Sequence, residues 1–311
     1  MNRNASMTQL LRVARPQFLI AGLALFVFGA CWAVLLGAPV SLSRMLFGYL
    51  VLLPAHLSVS YSNDYFDVDV DKHGKHTVFS GGTGILVDHQ ELRKPAEWTA
   101  IVLILVSLAL GIVFQIVYSF PIWFLGFVVL GNLLGWFYSA PPLRFAYRGL
   151  GELSIVFSVG LLIPAFGYLV TNGQLTPDGL LFSVPLMLYG LAFILTVEIP
   201  DMESDRLGNK RTWVAQKGRG FGFAVIAASL RLATLFFFCV PWLTSRSYPV
   251  DFRFLGGLSL IPLGAGGVGL LIRPTEKRSA TRVVSGMMIA LAAFCALADA
   301  YMVYMSLNQR L

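Results

Sequence analysis

The residues best suited to chemistry are acidic side chains that lie close together at two places in the chain. Asp64, Asp67 and Asp71, here called the first acidic group, are separated by three and then four residues. In a helix this spacing places three carboxylates on one face. Because like charges repel, a cation is expected among them. Mg²⁺ prefers carboxylate oxygens and often combines one or two carboxylates with substrate phosphates.

A second acidic group repeats this spacing later in the chain. It consists of Glu198, Asp201 and Asp205. Each group ends a long apolar run and begins a polar loop that contains basic residues. Two such faces at one end of two apolar helices predict a site where metal ions hold a diphosphate. The alternative, acidic side chains that only solvate two helix ends, explains one group more easily than a matched pair.

The elements that must position these groups are membrane helices. Of the 311 residues 57% are hydrophobic and 13% are charged, and the mean hydropathy is +0.73. This composition excludes a soluble globular protein and predicts an all-α, polytopic membrane protein. Nine apolar runs are long enough to cross the membrane, near 17–38, 43–62, 97–118, 121–138, 151–171, 179–199, 220–242, 254–272 and 282–305.

The distribution of basic residues predicts the orientation. With the N-terminus in the cytoplasm, most of the 23 lysines and arginines fall on the cytoplasmic face, as expected for membrane proteins. Both acidic groups and the loop 139–150 then face the cytoplasm, and an odd number of helices leaves the C-terminus outside. The net charge of +7 is explained by these loops and indicates no nucleic-acid partner. Residues 1–311 are predicted to form one domain, with two related four-helix halves (about 17–138 and 151–272) and a last helix (about 282–305).

Basic residues beside the acidic groups are candidates for binding phosphate. Arg144 and Arg148 follow a Pro-Pro pair that ends the fourth apolar run, and guanidinium groups make bidentate contacts to phosphate oxygens. The same role is possible for Lys72, Lys75 and Lys210. For each of the five residues the alternative is a role in membrane orientation alone.

A glycine-rich segment follows the first acidic group. This segment, Ser80–Gly84, is here called the glycine loop. Its consecutive N–H groups can approach and bind an anion. It is not a phosphate-binding loop of the Walker type, because the Gly-Lys-Ser/Thr ending is missing. The alternative is an ordinary flexible loop.

Four motifs stand out along the chain. They are Asn63-Asp64-x-x-Asp67-x-x-x-Asp71, Tyr138-Ser-x-Pro-Pro-Leu-Arg144 with the run Tyr147-Arg-Gly-Leu-Gly-Glu152, Asp201-x-Glu203-x-Asp205-Arg206, and Gly208-x-Lys210-Arg211-Thr212. Together they resemble the motifs of the UbiA superfamily of intramembrane prenyltransferases. The glycine loop and the run from Tyr147 most resemble the branch that prenylates dihydroxynaphthoate on the way to menaquinone.

The resemblance implies nine helices around a central cavity, in which two Mg²⁺ ions between the facing acidic groups bind a polyprenyl diphosphate. Glu198 stands where the family often has Asp. The family also often places arginines after its first motif, where this chain has Lys72-His-Gly-Lys75-His76. The residues that the resemblance assigns to the site are Asn63, Asp64, Asp67, Asp71, Asp201 and Asp205.

The implied reaction is ionisation of the diphosphate followed by attack on an acceptor. Mg²⁺ and basic side chains would stabilise the departing pyrophosphate. Tyr138, at the start of the family-like loop, would shield the allylic cation through a cation–π contact of about 0.5–2 kcal/mol. The expected partners are a polyprenyl diphosphate, an aromatic acceptor and the membrane lipid through which the prenyl tail enters. The acceptor that the resemblance favours is 1,4-dihydroxy-2-naphthoate. A bacterial or archaeal cell membrane is the expected location.

Other functions remain open from the sequence. The same fold can serve another acceptor, such as hydroxybenzoate, a tetrapyrrole or a glycerol lipid, or it can cyclise a prenyl chain as a terpene cyclase. A cation-coupled transporter is the alternative from another class. Transport sites usually lie near the middle of the membrane, whereas these carboxylates lie at its edge. The position of the carboxylates therefore favours a phosphate-bearing substrate.

Overall fold

Helices form the architecture in residues 3–74, 81–244 and 246–308, which are the parts of the chain that this computed structural model describes. Those ranges contain no β-strand. A π-helical turn at Ser158–Leu162 joins α8 to α9. The α-helices are α1 (Arg3–Arg12), α2 (Pro16–Leu35), α3 (Leu42–Phe66), α4 (Val68–Asp71), α5 (Ile85–Asp88), α6 (Arg93–Val117), α7 (Trp123–Phe137), α8 (Gly151–Phe157), α9 (Ile163–Asn172), α10 (Ser183–Leu207), α11 (Trp213–Lys217), α12 (Arg219–Leu243), α13 (Phe252–Ile272) and α14 (Lys277–Asn308).

The helices confirm the predicted class of protein. Within the described ranges, eight helical segments are long and apolar enough to cross a membrane. The predicted run at 121–138 corresponds to α7, which has 15 residues. A helix of that length spans about 22 Å, less than a hydrocarbon core of about 30 Å. The all-α membrane fold is therefore established, while the number nine stays a prediction.

Two helices continue past the apolar runs from which they were predicted. α3 ends at Phe66 rather than near residue 62, and α10 ends at Leu207 rather than near residue 199. Apolar composition marks where a chain is buried in lipid, but the backbone hydrogen bonds of a helix do not stop at that boundary. Asp64 therefore lies in the last turn of α3, and Asp201 and Asp205 lie on α10.

The first acidic group does not lie on one continuous helix. Asp67 separates α3 from α4 with φ −97° and ψ 4°, outside the helical region. Its carbonyl still accepts bonds from Val70 N and Asp71 N, both at 2.9 Å. The prediction of a single helical face is therefore wrong at Asp67. Asp64 and Asp71 therefore lie on separate helices, α3 and α4.

The fold divides into two compact units. Unit 1 comprises Met1–Ile20, Leu46–Ser154 and Asp201–Gln216, and unit 2 comprises Ala21–Met45, Ile155–Pro200 and Lys217–Leu311. Unit 1 therefore contains every predicted site residue that the structure describes except Glu198. The division into two four-helix halves and a last helix remains a prediction.

A buried cluster in unit 1 supports the short helices around the first acidic group. Val68 of α4 and Leu86 of α5 are each 1% exposed and pack with Val13, Tyr61 and residues of α6. Burying a side chain of this size contributes about 1.5–3 kcal/mol. Because helices of four residues are unstable alone, this packing holds α4 and α5 in place.

A close helix crossing stabilises unit 2. An added Cβ on Gly29 of α2 would lie 1.9 Å from the carbonyl oxygen of Pro164. An added Cβ on Gly167 of α9 would lie 2.0 Å from the carbonyl oxygen of Phe26. The two helices therefore approach backbone to backbone on both sides of the crossing, as is typical where glycine lies between membrane helices.

Replacing Gly167 by alanine is expected to destabilise the protein by about 1–3 kcal/mol, because backbone atoms must move to admit the methyl group. The measurement is the thermal unfolding midpoint in detergent. Gly126→Ala on α7 is the matched control, since nothing lies within 4 Å of its added Cβ. Equal midpoints for the two variants would contradict the close crossing.

Candidate functional site

The acidic residues of unit 1 are buried rather than solvated. Asp64 is 2% exposed, Asp67 5%, Asp71 8% and Asp205 5%, whereas Asp201 is half-buried. A buried carboxylate is unfavourable unless hydrogen bonds or opposite charges compensate it. The alternative that these residues only solvate helix ends is therefore wrong for the four buried members.

Asp67 is held by three donors from two distant segments. Its Oδ2 accepts a hydrogen bond from Ser139 Oγ at 3.0 Å, and its Oδ1 accepts one from the Tyr147 hydroxyl at 2.7 Å. The Lys210 ammonium lies 2.6 Å from Oδ2. The Lys210 side chain is only 14% exposed, so this is a buried ion pair. Asp67 therefore binds the loop after α7 and the loop after α10 to the end of α3.

The electrostatics of this pair keep Lys210 charged. Burial disfavours its ammonium form, but the negative charges of Asp67 and Asp205 outweigh burial and hold the pKa of Lys210 well above its usual value. Burial and the charge of Asp67 also raise the pKa of Tyr147. Lys210 therefore remains a cation and Tyr147 a neutral donor at physiological pH.

The glycine loop brings the two acidic groups together. Thr83 donates to Asp64 Oδ2 through its hydroxyl and through its N–H at 3.2 Å. Gly81 donates its N–H to Asp201 Oδ2 at 2.8 Å. Because residues two apart in a chain lie at most about 7 Å from each other, one carboxylate of each group is held at the same short segment.

The remaining carboxylates have polar or charged neighbours. Arg15 Nη2 lies 3.7 Å from Asp64 Oδ1, and the Thr212 hydroxyl donates to Asp205 Oδ2 at 3.0 Å. Burial and then the charge of Asp67 raise the pKa of Asp71 to about 8, against the opposing influence of Lys210. Asp71 is thus a buried carboxyl beside the negative charge of Asp67.

Three further predicted residues of unit 1 are half-buried, namely Asn63, Tyr138 and Arg144. The Arg144 guanidinium stacks on the Tyr147 ring, 3.7 Å from the ring centroid. Arg144 Nε and Asn63 Oδ1 are buried and have no hydrogen-bond partner among the described residues. Tyr138, at the end of α7, is close enough to Lys210 to influence its charge. Arg144 and Asn63 therefore retain hydrogen-bonding capacity for a ligand.

For two other predicted residues, Arg148 and Lys72, no contact with the buried carboxylates of unit 1 is seen among the described residues. Arg148 is exposed, and its Nη2 donates to the Pro142 carbonyl at 2.8 Å. Lys72 is exposed and lies 2.7 Å from the exposed Asp69. Lys75 falls outside the described residues. Glu198 belongs to unit 2, where it is buried one helical turn before Asp201 on α10.

A hard divalent cation fits the chemistry of these donors. Among the described residues, no three His, Cys, Asp or Glu side chains are close enough together to hold a metal ion by themselves. Buried carboxylate oxygens are nevertheless the ligands that Mg²⁺ prefers, and it uses one or two carboxylates when substrate phosphates supply the rest. Burial and then the charge of Asp67 raise the pKa of Asp71, and a cation bound beside it would favour the ionised carboxylate.

The sequence assigned no role to five of the residues that contact the carboxylates. Four of them lie inside the motifs or the glycine loop described above, so membership of such a segment was the available signal, whereas Arg15 lies outside those segments. Spacing along one helix cannot identify partners that approach from other elements. The five residues are Arg15, Thr83, Ser139, Tyr147 and Thr212.

Comparisons with known proteins place the chain among prenyltransferases. Residues 23–297 match the model of the UbiA prenyltransferase family. The 1,4-dihydroxy-2-naphthoate octaprenyltransferase of Bacillus subtilis (strain 168) is 25% identical over 231 residues, which cover 73% of this chain and 72% of that protein. Human UbiA prenyltransferase domain-containing protein 1 is 31% identical over 113 residues, which cover 36% of this chain and 33% of that protein.

Solved structures support the fold. A UbiA homolog from Archaeoglobus fulgidus bound to GPP and Mg²⁺ superposes with a TM-score of 0.65 at 16% identity, covering 95% of this chain and 99% of that chain. The structure of a UbiA homolog from the same organism bound to Cd²⁺ gives a TM-score of 0.61 at 15% identity, covering 94% and 98%. At these identities the agreement concerns the fold.

The buried Lys210–Asp67 pair is expected to stabilise the protein far more than the exposed Lys72–Asp69 pair. Lys210→Met leaves Asp67 buried without its cation and should reduce the free energy of unfolding by about 3–5 kcal/mol. Lys72→Met should cost less than about 1 kcal/mol. Thermal unfolding in detergent, without metal or substrate, measures both.

The double variant Asp67→Asn/Lys210→Met tests the cause of that loss. Removing both charges should recover part of the stability, since no uncompensated carboxylate remains. A double variant less stable than Lys210→Met, or equal losses for Lys210→Met and Lys72→Met, would contradict the buried pair.

Proposed function

This chain belongs to the UbiA prenyltransferase family, and we propose that it transfers a polyprenyl group from a polyprenyl diphosphate to an aromatic acceptor within the membrane. The observation that carries the assignment is the convergence of both acidic groups on Gly81 and Thr83, beside the buried Lys210 ammonium. Buried negative and positive charges at the end of membrane helices suit a ligand with a charged head and a long apolar tail.

Magnesium is the proposed cofactor, and we expect two ions. The residues that would hold it are Asp64, Asp71, Asp201 and Asp205, with Glu198 as a further candidate. Asp67 is a candidate ligand that also pairs with Lys210. When bound, Mg²⁺ would neutralise charge on the diphosphate oxygens and so lower the barrier to departure of pyrophosphate. The Archaeoglobus fulgidus homolog solved with GPP and Mg²⁺ supports this choice of cofactor and of donor substrate.

The cationic side chains stabilise the departing pyrophosphate. Lys210 stays protonated because Asp67 and Asp205 raise its pKa, and it supplies a fixed positive charge at the acidic groups. Arg144, stacked on Tyr147 with its Nε unpaired among the described residues, can donate to phosphate oxygens. Fixed charges in a buried site act strongly because little reorganisation is needed during the reaction. Asp67 has a positioning role, since it holds Lys210.

The reaction exchanges one bond for another. The bond between the allylic carbon and the diphosphate oxygen breaks, and pyrophosphate leaves with the electron pair. The allylic carbon then bonds to an electron-rich ring carbon of the acceptor. That carbon loses either hydrogen as a proton or a carboxylate as carbon dioxide, and the bonding electron pair returns to the ring and restores its aromaticity. Tyr138 offers a ring face that would stabilise the allylic cation by about 0.5–2 kcal/mol. Exclusion of water from the site would keep the cation from being captured before it reaches the acceptor.

A naphthoate is the proposed acceptor. The Bacillus subtilis relative is named for 1,4-dihydroxy-2-naphthoate, and its match covers most of both chains. The prenyl tail would lie among apolar helices and enter from membrane lipid. We propose a bacterial or archaeal cell membrane, with the N-terminus and the site loops in the cytoplasm and the C-terminus outside, on the basis of the distribution of basic residues.

Asp201→Asn and Asp64→Asn should each lower prenyl transfer by roughly 10³-fold, because each removes a charge from the site that binds the metal and diphosphate. Asp69→Asn is the matched control, since Asp69 lies within the same motif but is exposed and paired with Lys72. The assay follows Mg²⁺-dependent pyrophosphate release and prenylated product from a labelled polyprenyl diphosphate. Wild-type turnover in Asp201→Asn or Asp64→Asn would overturn the site.

A panel of acceptors tests the acceptor assignment separately. 1,4-Dihydroxy-2-naphthoate should give prenylated product, whereas hydroxybenzoate, a tetrapyrrole precursor and a glycerol lipid should give none. Product with one of the other acceptors alone would keep the prenyltransferase assignment and overturn the naphthoate. Pyrophosphate release with a cyclised hydrocarbon, and without any acceptor, would indicate a terpene cyclase.

A further inference from the structure

The described part of the glycine loop contacts three carboxylates. Thr83 donates to Asp64 through its hydroxyl and its N–H, and Gly81 donates to Asp201. Gly82 lies against Asp71, and a Cβ added to Gly82 would lie 2.0 Å from Asp71 Oδ2. The N–H groups of Gly81 and Thr83, which could otherwise bind an anion, therefore bind carboxylates of the protein itself.

The backbone conformation of this segment requires glycine. Gly81, Gly82 and Gly84 have φ values of 80°, 63° and 72°. In this left-handed region a residue with a Cβ is strained, whereas glycine is not. At Gly82 a side chain would also displace the Asp71 carboxylate. The pattern Gly-Gly-Thr-Gly thus allows one short segment to turn between the two acidic groups while it presents its donors to both.

The segment is anchored on its C-terminal side. Gly84 precedes α5, and Leu86 of that helix is 1% exposed within the core cluster of unit 1. Asp88 N also donates to the Gly84 carbonyl at 3.1 Å. Because Leu86 is fixed by packing and lies three residues from Thr83, the position of the Thr83 donors is set by the fold.

We propose, on the basis of the function proposed above, that Gly81–Thr83 is a positioning segment for the metal-binding carboxylates. By holding Oδ2 of Asp64 and Oδ2 of Asp201, it fixes the orientation of one carboxylate from each acidic group and the separation between the groups. Hydrogen bonds to ligating side chains commonly have this effect, and removing one lowers metal affinity about 10–100-fold. Thr83 is a positioning residue, since it acts through Asp64.

Thr83→Val tests the positioning role, because it removes the hydroxyl and keeps the size and branching of the side chain. Mn²⁺ replaces Mg²⁺ as the probe, and its binding to the purified full chain is titrated by electron paramagnetic resonance without substrate. Thr83→Val should bind Mn²⁺ about 10–100-fold more weakly than the unchanged protein. Thr83→Ser, which restores the hydroxyl, should recover the affinity.

The same titration separates failure of the positioning role from failure of the proposed function. Mn²⁺ binding by the unchanged protein together with unchanged affinity in Thr83→Val would overturn the positioning role and leave the prenyltransferase assignment in place. Tighter binding in Thr83→Val would also overturn it, since the segment would then compete with the metal. No Mn²⁺ binding and no transfer by the unchanged protein would overturn the metal site and the positioning role together.

A glycine pair gives a second, independent test. Gly82→Ala places a methyl group against Asp71, whereas Gly37→Ala has the same kind of backbone strain, with φ 96°, and nothing within 4 Å of its Cβ. Gly82→Ala should weaken Mn²⁺ binding at least tenfold, and Gly37→Ala should leave it within twofold of the unchanged protein. Equal affinities in the two variants would overturn the positioning of Asp71 by this segment.

Discussion

The cost of burying several carboxylates in one place constrains the rest of unit 1. Asp64, Asp67, Asp71 and Asp205 are each at most 8% exposed, and buried like charges are unfavourable without compensation. Much of the compensation comes from donors and cations on other elements. The segments after α4, α7 and α10 all contribute side chains or N–H groups that contact these carboxylates.

The compensation is distributed unevenly, and this separates the roles of the carboxylates. Asp67 accepts hydrogen bonds from Ser139 and Tyr147 and pairs with the Lys210 ammonium. Asp71 has no comparable side-chain partner among the described residues, and burial and neighbouring negative charge raise its pKa to about 8. The protein thus fixes one carboxylate as a structural support for a cationic side chain. An added cation would stabilise the ionised form of the other carboxylate, Asp71.

Much of the architecture could be predicted from composition. Long apolar runs indicate membrane helices because an uncompensated backbone is so costly in lipid that only a few structures can span it. The structure confirmed the class and placed the helices close to the predicted runs. Helix ends were less predictable: α3 and α10 extend beyond their apolar runs because backbone hydrogen bonding is insensitive to the polarity of the side chain. The conformation of Asp67 could not be foreseen, since its partners lie on other elements.

The sequence by itself determined the membrane-helical class, the two acidic groups with their shared spacing, and the family to which these motifs belong. Residue type and local spacing are enough for such features, because helical periodicity and hydropathy act over short stretches. Only the tertiary structure decided which basic residue is paired with which acidic one. Lys210 and Lys72 look alike in the sequence, yet one is buried against Asp67 and the other is exposed beside Asp69. It also decided that the N–H groups of Gly81 and Thr83 bind the protein's own carboxylates, because such contacts depend on how distant segments pack in space.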